Sequence, residues 1–125
     1  MLHQMKLQPN PFEKIKNGSK TLELRLNDEK RQLIKVGDEI EFSLATEPEQ
    51  KMLAVVEDLY HFPTFKDLCY SFEPVEYGSL DKEGYVEMYK YYSKEDEMKY
   101  GVLGIRVRSH NGPVIKISQY RFPTK

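Results

Sequence analysis

One cysteine, Cys69, stands alone in 125 residues. It can form no internal disulfide, and no charged-then-apolar leader opens the chain, so a reducing cytoplasm is the expected setting. At its apolar helical position Cys69 reads first as a small buried hydrophobe. No apolar run approaches the roughly 18 residues of a membrane helix, so no membrane association is expected. His3, His61 and His110 are far apart and have no Cys or His at ligand spacing, which gives metal binding no support. His61, at the end of an apolar strand, reads as a hydrogen-bonded structural residue. The one Gly-x-x-Gly, Gly101 to Gly104, opens a strand rather than a helix, so neither a phosphate loop nor a dinucleotide fingerprint is present and no cofactor is implied. Repeats, low-complexity tracts and interdomain linkers are absent too. One domain over residues 1–125 is expected, with a helical insertion over about 64–100.

What the chain does have is aromatic residues and charge. Nine Tyr and six Phe supply a core despite a charged fraction of 31%, and the net charge of -1 hides a segregation. Residues 13–35 hold seven Lys/Arg against four Asp/Glu, residues 36–104 hold six against sixteen, and residues 105–125 hold five against none. If both basic ends meet in one closed sheet, they form a patch of about eight excess positive charges, suited to a localised contact with phosphates. Scattered charges on a solvated surface are the equal alternative.

The best-defined strand lies within Gly18 to Phe42. Leu22, Leu24 and Leu26 alternate with Thr21, Glu23 and Arg25, the period-2 pattern of a half-buried strand. The Leu side is core. The other side carries a hydroxyl, a carboxylate and a guanidinium about 6.7 Å apart, followed by Asp28, Lys30 and Arg31 in a turn. Such a row is a salt-bridged outer face or the wall of a polar cleft, and the alternation alone favours the outer face. Lys20 has the parity of the Leu side, yet its long stem can reach the mouth of a cleft.

Before this strand, a short strand is expected at Met5 to Gln8. Asn10 as N-cap, Pro11 at the first helical position and Glu13 at N3 predict a helix over 11–17, closed by Gly18. After it, Ile40, Phe42 and Leu44 mark a strand, Thr46 to Gln50 a loop, and Met52 to Phe62 an apolar strand ending at Pro63. Thr64 caps a helix to about Phe72. Residues 79–100 read as one or two further helices with a cap at Ser93. There Tyr85, Met88, Tyr89 and Tyr92 are better read as rings lying half on the core than as a base-stacking platform. Leu103, Ile105 and Val107 face inward on a strand whose Arg106 and Arg108 face outward, and Asn111-Gly112 signals a hairpin to a last strand at 114–120. The order implies an α+β chain with a small β-barrel of about five or six mostly antiparallel or mixed strands.

The run Gly18-Ser19-Lys20-Thr21-Leu22-Glu23-Leu24-Arg25, between the helix and the Lys35-Val36-Gly37-Asp38 turn, resembles the ASCH domain, a branch of the PUA-like superfamily. The stretch Tyr92-Ser93-Lys94-Glu95 to Lys99-Tyr100-Gly101-Val102-Leu103-Gly104-Ile105 is similar to that of stand-alone bacterial members. The resemblance implies a small barrel that binds RNA, a nucleotide or a modified nucleoside in a cleft lined by Lys20, Glu23 and Arg25, with Thr21, Arg31, Arg106 or Arg108 in support. Chemically, Lys suits a phosphate, Arg a phosphate or base edge, and Glu an exocyclic amine. Some relatives hydrolyse N4-acetylcytidine with a Thr nucleophile where this chain has Glu23, and their helical Glu corresponds loosely to Glu73 or Glu76. Others are described as ribonucleases. If the chain is an enzyme, Lys20 and Glu23 are the catalytic candidates. A third expectation is a protein partner docked on the acidic, Tyr-rich segment 73–100.

Overall fold

The computed structural model describes residues 1–110, so the expected hairpin at Asn111-Gly112 and the strand at 114–120 lie outside the described residues. The chain runs β1 (Leu2–Leu7), α1 (Pro9–Lys16), β2 (Leu22–Leu26), β3 (Glu39–Leu44), β4 (Glu47–Phe62), α2 (Phe65–Tyr70), α3 (Lys94–Tyr100) and β5 (Val102–Ser109). Turns of 3₁₀ helix lie at Arg31–Leu33, Pro74–Tyr77 and Lys82–Lys90. The strands form one curled mixed sheet in the order β1-β3-β4-β5-β2. β1 pairs with β3 in parallel and every other neighbour is antiparallel. This is the α+β half-barrel that the sequence implies.

Local chemistry accounts for most element ends. Thr64 caps α2 through Oγ1, which accepts from the Asp67 amide at 3.0 Å, and Ser93 caps α3 through the Asp96 amide at 3.0 Å. Two expectations are corrected. α1 starts two residues early, with Gln8 as N-cap and Pro9 as first residue, so the Asn10 and Glu13 capping box does not form. Pro9 already has the φ of a first helical residue and needs no donor partner, which moves the start upstream. The loop expected at Thr46 to Gln50 is mostly strand, because β3 and β4 join through Ala45 and Thr46 and Leu44 already pairs with Glu47.

Two apolar clusters occupy opposite faces of β5. Leu103, Ile105 and Val107 join Met5, Leu7, Phe12, Ile15, Ile40 and Phe42 in the core inside the curl, where α1 packs. Val102 joins Leu22, Leu24, Phe65, Leu68, Cys69 and Tyr77 in a second core beneath α2. The Leu side of β2 is therefore core, as its alternation predicts, but it is the second core. Glu23 pairs with Ile105 and Arg25 with Leu103, so the charged side of β2 shares a face with residues of the first core.

β1 and β2 end the sheet, and side chains bridge the gap between them. The odd-numbered carbonyls of β1 serve β3, as when Leu7 O accepts from the Ala45 amide at 2.8 Å. The even-numbered ones face the gap: Lys6 O accepts from Arg25 Nη2 at 2.8 Å and Gln4 O from Lys30 Nζ at 2.9 Å. Two cations thus stand where a fifth ladder, between β1 and β2, would close the barrel.

Between the two cores, Gly104 lets β5 approach α2. A Cβ there would lie 3.2 Å from Leu68 Cδ1 and 3.3 Å from Leu22 Cδ1, both fully buried. Gly104→Ala should destabilise the chain by about 1–3 kcal/mol in urea denaturation. An unchanged midpoint would mean that the second core yields without strain.

Candidate functional site

The segment that enters β2 is fixed at several points before its side chains reach the gap. Gly18, at φ 87°, turns the chain out of α1, the Lys20 amide donates to Lys14 O at 3.0 Å, and the Thr21 amide donates to Glu76 O at 2.9 Å. The Lys20 stem then runs beneath Gly78, which has φ 80°. A Cβ at Gly78 would lie 3.1 Å from Lys20 Cδ and 3.6 Å from Lys14 Cδ, so glycine meets both the left-handed conformation and the crowding. Lys14 Nζ donates to the carbonyl of Gly78 at 3.1 Å, tying α1 to the wall opposite.

Glu23 joins two cations. Lys20 Nζ lies 2.9 Å from Oε1 and Arg25 Nε lies 2.7 Å from Oε2. Glu23 is 4% exposed and Lys20 9%, so this is a nearly buried triad rather than the solvated face that alternation favours. Burial alone pushes a carboxyl up, but Lys20 and Arg25 outweigh it and hold Glu23 below its ordinary range. For Arg25, burial opposes the charge, while Glu23 and the Tyr92 phenol hold the guanidinium above its ordinary range. The triad is a fixed set of charges, and Glu23 is ionised at neutral pH.

A cleft of about 510 Å³ opens above the triad. Lys6 and Gln8 line it from the end of β1, Asn10 and Lys14 from α1, and Tyr77, Gly78, Met88, Tyr91 and Tyr92 from the segment between α2 and α3. Its cations, Lys6, Lys14, Lys20 and Arg25, outnumber its carboxylates, Glu23 and Glu87. Lys90 pairs with Glu87 at 2.8 Å, which leaves the cleft positive. Tyr91 is 65% exposed and offers a ring to an incoming group.

The fold has relatives among known proteins. The family model of the ASCH domain matches residues 5–110. The chain belongs to the ASCH domain family. It is similar to the crystal structure of hypothetical protein PH0355, with 32% identity and a TM-score of 0.77 over 87% of this chain and 99% of that one. For the solution structure of protein PF0455 from Pyrococcus furiosus, identity is 30% and the TM-score 0.66, over 88% and 98% of the two chains. A mutant of ZmASCH from Zymomonas mobilis shares the fold at 16% identity, with a TM-score of 0.65 over 87% and 68%. No curated protein matches the chain.

Of the residues that the ASCH resemblance implies, Lys20, Glu23 and Arg25 line the cleft and four others do not. Thr21 Oγ1 accepts from Arg106 Nη1 at 2.8 Å, and that guanidinium also pairs with Glu76 at 2.9 Å and lies over the rings of Tyr60 and Phe72. Arg31 pairs with Asp28 at 2.9 Å and Arg108 with Glu57 at 2.8 Å. Of the basic patch expected where the two ends meet, Arg106 and Arg108 are paired with Glu76 and Glu57 of the acidic middle, and Lys116, Arg121 and Lys125 lie outside the described residues. The Thr21 hydroxyl, held by Arg106, is not placed to attack a ligand in the cleft. Glu73 and Glu76 cap the turn at Pro74–Tyr77 instead of entering the cleft. Cys69 is buried, with its thiol pushed up to about 11 by that burial, and His61 is exposed rather than structural. Tyr85, Met88, Tyr89 and Tyr92 pack on the second core as expected, and Met88 and Tyr92 also face the cleft. The residues not foreseen are Lys6, Asn10, Lys14 and Tyr91, which come from segments that meet only in the fold.

Glu23 makes the site sensitive to acid. Its folded value lies below the ordinary 4.5, so its contribution is fully present above 4.5 and is lost as pH falls through the lowered value. Urea denaturation from about pH 7 to about pH 3 should show the native chain losing more stability than Glu23→Gln, which lacks this group. At neutral pH the same substitution should cost about 3–5 kcal/mol, since it leaves buried cations unpaired. Parallel pH profiles would mean that the triad is not an ion pair in the folded protein.

Proposed function

We propose that this chain binds single-stranded RNA, or a nucleotide or modified nucleoside of the same chemistry, in the cleft between β1 and β2. The observation that carries the reading is the lining: four cations against two carboxylates, with tyrosine rings along one wall. Phosphates favour such an excess of Lys and Arg, and bases of any sequence stack on exposed rings. The volume, about 510 Å³, suits one nucleotide and excludes a duplex about 20 Å across. The association of the ASCH family with RNA binding supports the same reading. In this arrangement Lys6 and Lys14 take the phosphate, Tyr91 stacks on the base, and Lys20, Glu23 and Arg25 form the floor.

The acidic segment that suggested a protein partner supplies one wall of the cleft through Tyr77 to Tyr92. A role in shaping the RNA site therefore accounts for its aromatic content.

Fluorescence anisotropy with short single-stranded RNA tests the reading. Affinity should fall steeply with salt, with a log–log slope of about -0.7 for each phosphate neutralised. Lys6 is exposed, so Lys6→Ala should reduce the slope by about one contact and leave stability unchanged. Tyr91→Ala should weaken binding by about 1–3 kcal/mol without altering the slope. Binding that ignores salt, or that survives both substitutions, would overturn the proposal.

A further inference from the structure

The floor of the cleft has a hydrogen-bonding pattern that can be read from its partners. Lys20 has three donors and uses one on Glu23 Oε1. Arg25 has five and uses Nε on Glu23 Oε2, one Nη2 hydrogen on Lys6 O and a further one on the Tyr92 phenol, which leaves two. Each oxygen of Glu23 has two lone pairs and gives one to its cation, so each keeps one. Across the triad the unused groups therefore run donor, acceptor, donor. All three residues border the open cleft.

We infer that this row recognises the Watson–Crick edge of uracil, which presents acceptor, donor, acceptor at O4, N3–H and O2. Lys20 and Arg25 donate to the two keto oxygens, and Glu23 accepts from N3–H between them. The other bases fail at defined places. Cytosine turns its N4 amine toward a cation, adenine does the same with its N6 amine, and guanine sets its N2 amine against the second cation. Because Glu23 is locked by charge on both sides, it does not rotate to rescue these mismatches. The row also replaces the simpler pairing of Glu23 with the amine of cytosine, in which the flanking cations have no acceptor to meet. The neighbouring tyrosine wall stacks the base without reading it.

The inference rests on the RNA reading and can fail separately from it. Competition anisotropy with hexamers of uridine, cytidine and adenosine should show uridine bound about tenfold or more tightly than either other base. A hexamer of N3-methyluridine, which loses the central donor and keeps both keto oxygens, should fall to the level of cytidine. One of 5-methyluridine, with the edge intact, should bind like uridine. Glu23→Gln, checked for folding by circular dichroism, should narrow the preference for uridine and keep the salt slope. Equal affinity for all hexamers with a steep salt slope would overturn base recognition and leave phosphate-led RNA binding standing. No binding by any hexamer would overturn the single-stranded RNA reading and this inference with it.

Discussion

Arg25 makes two bonds that belong to different levels of the structure. Through Nε it holds Glu23 at 2.7 Å, and through Nη2 it holds the Lys6 carbonyl at 2.8 Å. The first belongs to a buried triad and the second to the closure of the sheet. A buried ion pair is weak evidence for stability, because desolvation offsets most of its attraction. Its place in the fold gives it a different importance. The sheet order leaves β1 and β2 as opposite edges, with even-numbered carbonyls of β1 unpaired by any strand among the described residues. A planar guanidinium reaches a carboxylate on its own strand and a carbonyl on the other at once, which the point charge of a lysine does not. The arrangement that holds the barrel nearly closed is therefore also the floor of its cleft.

This double use explains which parts of the site were legible in the sequence. The alternation of β2 correctly separated the Leu side from the charged side, and capping chemistry located α2 and α3. What alternation does not contain is whether the charged side meets water. A strand covered on both faces shows the same period as one covered on a single face when the second cover is a polar cleft, and Glu23 at 4% exposure is that case. The family resemblance, not the period, pointed to a cleft. Arg106 and Arg108 were placed on the right face of β5, but their partners, Glu76 and Glu57, come from distant segments, so their neutralisation was visible only once the strands were paired. Lys6, Lys14 and Tyr91 were missed for the same reason, since the segments that carry them meet only in the fold.

The segregation of charge along the chain takes on a specific meaning in the fold. Acidic residues of the middle segment pair with the arginines on the outside of β5, and a further glutamate, Glu87, is taken by Lys90. The lining of the cleft keeps an excess of cations. A chain of net charge -1 thus concentrates positive charge along one cleft, an arrangement suited to an anionic ligand at that place.

The opposite wall has to be rigid for such a site to discriminate, and a second buried carboxylate makes it so. Glu97, on α3, accepts from the Phe65 amide at 2.8 Å and from the Tyr89 hydroxyl at 2.8 and 3.0 Å. It thereby joins the start of α2 to the 3₁₀ turn that carries Met88 and to α3 itself. Phe65 in turn stacks on Tyr92 at 5.7 Å, and Tyr92 borders both Arg25 and the cleft. The wall is fastened to the second core by hydrogen bonds and rings, while the floor is fastened to the first by paired charges. A ligand entering between them meets groups whose ordering cost was met on folding, and that is the condition under which a few directional hydrogen bonds convert into selectivity.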